Sequence, residues 1–156
     1  MRLKSKRVGP KSDKRGERGA ALVEFAIAGV VFMTALFAVV EFGRLLWVHN
    51  ALTDAARRGA RYAVTHTPSD ASEAQRMAVY GTTDDGASPM VTGLKPENVK
   101  VEYSPGFNVG EGTARVSIQN YEFKFVVPLV GTTLKMPSYA STLTAENAGQ
   151  VPVNLP

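Results

Sequence analysis

The spacing of apolar positions changes along the chain, and each change marks a new element. From Ala20 to Val40 there is no periodicity: AALVEFAIAGVVFMTALFAVV is apolar on every side, with Glu24 its single charge. A helix hydrophobic all round is either a buried core helix or a membrane span. These 21 residues would reach about 31 Å as a helix, matching the roughly 30 Å of bilayer hydrocarbon. Beyond them the pattern turns amphipathic. Leu45, Val48, Leu52, Ala55, Gly59 and Tyr62 alternate steps of three and four, with Asp54, Arg57, Arg58 and Arg61 mostly off the stripe. No proline falls between Ala20 and Thr67, which predicts one helix of about 45 residues, roughly 67 Å long. Its first half is lipophilic and its second half amphipathic, an anchor continued as a stalk.

Thr67-Pro68-Ser69 breaks the helix. A short second helix is expected next, with Asp70 as N-cap and Glu73 as its capping-box partner. Ala71, Ala74, Met77 and Ala78 would form its apolar face and Gly81 its C-terminal stop, followed by a loop over Thr82–Pro89. The pattern then becomes one of strands. Val99, Val101 and Tyr103 alternate with Lys100 and Glu102; a turn at Ser104-Pro105-Gly106 and another at Gly110-Glu111-Gly112 lead to a strand from Thr113. Ala114, Val116 and Ile118 are in phase there, but Tyr121, Phe123 and Phe125 are not, so a bulge or a break is expected near Gln119-Asn120. A last strand runs from Ser138 to Glu146, pointing Tyr139, Ser141 and Leu143 one way and Thr142 and Thr144 the other. The fold class is α+β: three or four antiparallel strands packed on the stalk and the short helix. The expected divisions are 1–19 basic leader, 20–42 transmembrane helix, 43–66 stalk helix, 67–149 head and 150–156 tail.

Composition narrows the chemistry. With no cysteine, disulfide frameworks, cysteine-ligated zinc, iron–sulfur clusters and thiol catalysis all drop out. The net charge of +4 is unevenly placed. Residues 1–19 hold eight basic side chains against Asp13 and Glu17, while the remainder carries ten basic and twelve acidic ones. A basic face for nucleic acid is therefore not implied. The asymmetry orients a membrane span instead, because positive charge is retained on the cytoplasmic side. The tail then stays inside, the C-terminal part lies outside, and Trp47 falls where an interfacial aromatic is expected. A cleaved secretory signal fits less well, since the apolar run is too long and no small-x-small site follows it.

Few groups could carry chemistry. Glu24 is an acid near one end of the apolar segment, about 6 Å along a helix from Ala20. Mid-bilayer carboxylates cost about 2.5–3.5 kcal/mol and usually have a partner. Were the chain cut after Gly19, the new Ala20 amine would be a cation at similar depth, able to pair with Glu24 of a neighbour. Solvation of Glu24 among headgroups is the equal alternative. Glu41 and Arg44 are three apart and can pair on one helix face, as a docking contact between subunits or as a boundary salt bridge. Ala55, Gly59 and Ala63 make a small-residue ridge that admits a close backbone, expected to be the chain's own sheet. Arg57, Arg58 and Arg61 lack a groove-reading module and read as a solvated, partly salt-bridged face, with Asp54 able to pair with Arg57 or Arg58. His49 and His66 have no ligand-spaced partners. No cofactor, metal site, catalytic set, nucleic-acid partner or small-molecule substrate is expected.

The stretches RGERGAALVEFAIAGVV and VVEFGRLLWVHNALTDAARRGARYA resemble the TadE-like proteins, minor pilin-like components of tight-adherence (Flp) type IV pilus systems. The matching residues are Gly19, Val23, Glu24 and Phe25, then Glu41, Gly43 and Arg44, then Ala55, Ala56, Arg57, Gly59, Ala60 and Arg61. Gly29 stands where relatives often carry a proline, so a kink there is not implied. The resemblance implies cleavage by a prepilin peptidase between Gly19 and Ala20, with Glu24 as the processing and assembly carboxylate. It implies partners among other pilin-like and pilus-assembly subunits and inner-membrane lipid around the anchor; because the major subunits of these pili are very short and a head of this size would dominate such a filament, the expected role is minor or priming. The rival from another class is an uncleaved, single-pass, membrane-anchored scaffold or binding protein.

Overall fold

In the computed structural model, residues 14–84, 86–126 and 133–145 are described, with side chains from residue 19 onward. One α-helix, α1, covers Lys14–Thr65. It starts earlier than the apolar pattern required, so the helix runs through Gly19-Ala20 without interruption. Contacts divide the chain into two units, 1–39 and 40–156. In the first, every described side chain is exposed except the half-buried Gly29; Leu22, Phe25 and Val30 are bare. This part of α1 is long and apolar enough to cross a membrane, and none of its most apolar stretch is covered by the chain.

The second unit is an α+β body built on the rest of α1. Val48, Leu52, Ala55, Ala56, Ala60 and Ala63 are buried, following the predicted stripe and widening it by one neighbouring row. After α1 a 3₁₀ turn over Pro68–Asp70 leads into α2, Ala71–Tyr80. Asp70 is the N-cap of α2, but its side chain makes no capping hydrogen bond, and the expected capping box with Glu73 does not form. The 3₁₀ turn explains this: it holds Asp70 at φ −92°, ψ 17°, outside the extended conformation a capping side chain needs, and its carboxylate instead accepts from Thr67 Oγ1 at 2.9 Å. The other end follows expectation. Gly81 takes φ +74° and its N–H donates to the Met77 carbonyl, the left-handed stop that favours glycine.

Five strands follow: β1 (Val99–Tyr103), β2 (Thr113–Ile118), β3 (Glu122–Lys124), β4 (Thr133–Lys135) and β5 (Tyr139–Thr144). They form two antiparallel sheets rather than one, β1-β2-β5 and β3-β4, with one strand, β4, beyond those expected from the sequence. The last strand is also shorter than the expected Ser138–Glu146, and Glu146 lies outside the described residues. The phase slip after Ile118 is a break, not a bulge. Asn120 turns the chain at φ +54°, a conformation asparagine tolerates better than most residues. The Asn98 carboxamide donates to the Gln119 and Asn120 carbonyls, each at 3.2 Å, and so pins the break in place. Beyond it Phe123 turns inward, 1% exposed.

Helix and sheet meet at Gly59. A Cβ there would lie 3.0 Å from Ala78 Cβ, 3.1 Å from Val116 Cγ1 and 3.2 Å from the Ala74 carbonyl oxygen. The Ala55-Gly59-Ala63 ridge thus receives both α2 and β2 of its own chain. Packing this close leaves no slack for extra methylenes, which typically cost 1–3 kcal/mol each time a tight core is overfilled. Gly59→Leu should destabilise the body by about 2–4 kcal/mol in thermal unfolding of the detergent-solubilised chain. Gly43→Ala, where a Cβ meets nothing within 4 Å, should instead be neutral or gain up to about 1 kcal/mol.

Candidate functional site

The first group lies on the bare part of α1. Gly19, Ala20, Val23, Glu24, Ile27 and Ala28 share one side of the helix, because residues four apart stack. Glu24 is exposed and, among the described residues, makes no hydrogen bond or ion pair. Phe25, beside it, is 77% exposed. What this surface offers is a single acid on an apolar wall, with no partner among the described residues. The Gly19-Ala20 peptide bond is helical here. Local unwinding is required before any protease can take it, and glycine makes unwinding easier by about 1 kcal/mol relative to alanine.

The second group is Glu41 and Arg44, and its setting is different. They form the ion pair their spacing permits, and both reach further into the chain. Glu41 is only 5% exposed. Its Oε1 accepts from the Arg44 guanidinium and, at 3.2 Å, from the Val126 backbone N–H. Arg44 also donates to the Lys124 carbonyl, and its guanidinium carbon sits 4.1 Å from the centroid of the Phe123 ring. Phe125 meets Phe123 edge-on at 5.1 Å. A buried carboxylate is tolerable only with charge and hydrogen-bond partners, and Glu41 has both. The pair therefore ties the β3 segment to α1. Sequence reasoning found the pair but not its partners, because residues 80 or more positions apart leave no spacing signal.

The Ala55, Gly59 and Ala63 ridge is occupied by the chain itself, as described above. Of the arginines, Arg57 pairs with Asp54 at 3.6 Å on the exposed face, while Arg58 turns away to donate to the Ala78 carbonyl at 3.2 Å. Arg61 is exposed. The histidines serve packing: His49 Nδ1 is 2.8 Å from the Tyr139 hydroxyl, and His66 stacks on Tyr62 with ring centroids 3.8 Å apart. The Tyr62 hydroxyl donates to Glu73, which is where the expected capping residue is used. That hydrogen bond, with desolvation and the Glu73 charge, pushes the Tyr62 phenol up to about 12. No group of acidic, histidine or cysteine side chains suited to a metal occurs among the described residues.

Residues 19–61 match the family model of TadE-like proteins. The match runs from the bare helix face through Glu41 and Arg44 into the packed ridge, and ends before α2. No curated protein and no solved structure matches the chain.

Two outcomes test this geometry. Glu41→Ala removes the acceptor for both Arg44 and Val126, so amide exchange at Val126 should quicken by about tenfold or more, while Glu41→Gln, which keeps an oxygen there, should have a smaller effect. The Tyr62 phenol is raised, so the fold favours its neutral form; this contribution is full below about pH 10 and is lost as pH rises towards 12. Thermal melts between those pH values should fall less steeply for Tyr62→Phe than for the parent chain.

Proposed function

We propose that this protein is a TadE-like pilus-assembly component held in the bacterial inner membrane by residues 20–42, with residues 1–19 in the cytoplasm and the α+β body in the periplasm. Support comes from the match over residues 19–61 and from the bare apolar surface of α1. The orientation rests on eight basic side chains preceding the span. Assembly, not turnover, is the activity. A prepilin peptidase cuts between Gly19 and Ala20 at the cytoplasmic face, using the ease with which glycine lets the helix unwind. The freed Ala20 amine is then a cation against an apolar helix wall. Glu24 of an adjacent pilin-like subunit accepts it, neutralising both charges and fixing the stagger of neighbouring helices. The observation that carries this is Glu24 itself: an exposed carboxylate among apolar side chains that finds no partner among the described residues.

Phe25 adds to the contact as an exposed ring beside the acid. Inner-membrane lipid covers the remaining faces of the span. The body, whose own ridge and Glu41–Arg44 pair are spent on its internal packing, is left to offer its outer surface to other pilus components.

Mass spectrometry of the N-terminus of the native protein tests the proposal directly: a chain starting at Ala20 is expected. Glu24→Gln should still insert, yet cross-linking to partner helices and pilus formation should fall by about tenfold, the scale of one lost charge-assisted hydrogen bond. Gly19→Arg should block cleavage. A chain recovered with its leader intact, in cells that possess the peptidase, would favour the uncleaved anchored scaffold.

A further inference from the structure

Next to the Glu41–Arg44 pair the body has a groove of about 570 Å³. Its walls include Arg44 and Trp47 from α1, Lys95 and Glu97 from the turn before β1, and Glu122 and Lys124 from β3. Arg44 is committed to Glu41 and the Lys124 carbonyl. The other four charges are not: Lys95, Glu97, Glu122 and Lys124 make no ion pair with any described residue. Two ammoniums and two carboxylates left open in one groove do not suit a purely anionic ligand. They suit a zwitterion.

We propose that this groove binds the headgroup of phosphatidylethanolamine, with its phosphate on Lys95 and Lys124 and its ammonium on Glu97 and Glu122. Three observations converge. In β3 the inward Phe123 places Glu122 and Lys124 on the same outward face, about 6.7 Å apart along the strand. Long Lys and Glu side chains on one face can converge on the opposite charges that the short ethylene spacer of phosphoethanolamine holds together. Trp47 stands seven residues past Val40 and is 58% exposed, with Leu46 beside it also exposed, as expected of side chains at the level of lipid headgroups. A primary ammonium also carries three N–H donors for carboxylates, which a choline headgroup lacks, so the site discriminates between the two. The proposal rests on residues 20–42 being the membrane span; it needs neither cleavage nor assembly.

The test uses the full chain in phosphatidylcholine nanodiscs, into which phosphatidylethanolamine or phosphatidylglycerol is titrated. Trp47 is the sole tryptophan, so its emission reports on this groove alone. A saturable blue shift with phosphatidylethanolamine is expected, weakened about tenfold or more by Lys95→Gln with Lys124→Gln. Glu97→Gln with Glu122→Gln should turn the preference towards phosphatidylglycerol. Equal responses to the two lipids, insensitivity to both double variants, or an equal shift from inorganic phosphate would each overturn the proposal. A chain that enters the discs but does not discriminate fails the groove alone; one that does not enter them fails the span.

Discussion

A single helix has to suit two environments, and the change is made between Val40 and Val48. From Leu22 to Val40 each large side chain of α1 lies exposed; from Val48 the same helix carries the core of a folded body. Nothing in the helical backbone marks that boundary. Glu41 and Arg44 do, by turning a charged pair inward to meet the Val126 N–H, the Lys124 carbonyl and the Phe123 ring. A charged pair buried this way rarely adds stability over an apolar one, but removing one member is costly. Its value is positional: the contacts to the Val126 N–H and the Lys124 carbonyl fix where the β3 segment lies on α1.

The body then follows from size. Ala55, Ala56, Gly59, Ala60 and Ala63 give α1 a nearly smooth side, so α2 and β2 both approach it to within van der Waals contact. Small residues contribute little hydrophobic area individually, about 25 cal/mol per Å². They gain through the larger groups they let close in: Leu52, Leu94, Val116, Ile118 and Phe123 are all below 2% exposure. The same small-residue spacing that associates helices in lipid is here used to seat a sheet.

How much could be read from the chain follows the range of each interaction. The long helix, the stripe from Leu45 to Tyr62, the Gly81 stop and the phases of β1, β2 and β5 are set by neighbours within a few residues, and periodicity exposes them. The phase slip near Asn120 was visible, but whether it meant a bulge or a break depended on Asn98, more than twenty residues away. The capping box failed because the 3₁₀ turn held Asp70 out of the capping conformation, and Glu73 accepts instead from Tyr62, eleven residues back in sequence. β4 went unseen since Thr133-Leu134-Lys135 is too short for alternation to register, and its pairing with β3 is a long-range event. At the candidate site, Glu24, Glu41 and Arg44 stood out as charges in apolar surroundings; their partners did not.

Glu24 and Glu41 are the same residue on one helix, 17 positions apart, and their fates separate the internal from the external work of the chain. Glu41 is buried and its Oε1 accepts from both Arg44 and the Val126 N–H, so it is already committed to holding the β3 segment in place. An acid used this way has little left for a second molecule. Glu24 is exposed among Val23, Ile27 and Ala28, which offer it no donor. In water such a carboxylate would be unremarkable. Against hydrocarbon it is destabilised by a few kcal/mol until a cation arrives, and in the proposed assembly that cation is the Ala20 amine of a neighbouring subunit. The family match spans both acids, one that builds the body and one that the proposed function leaves for a neighbour.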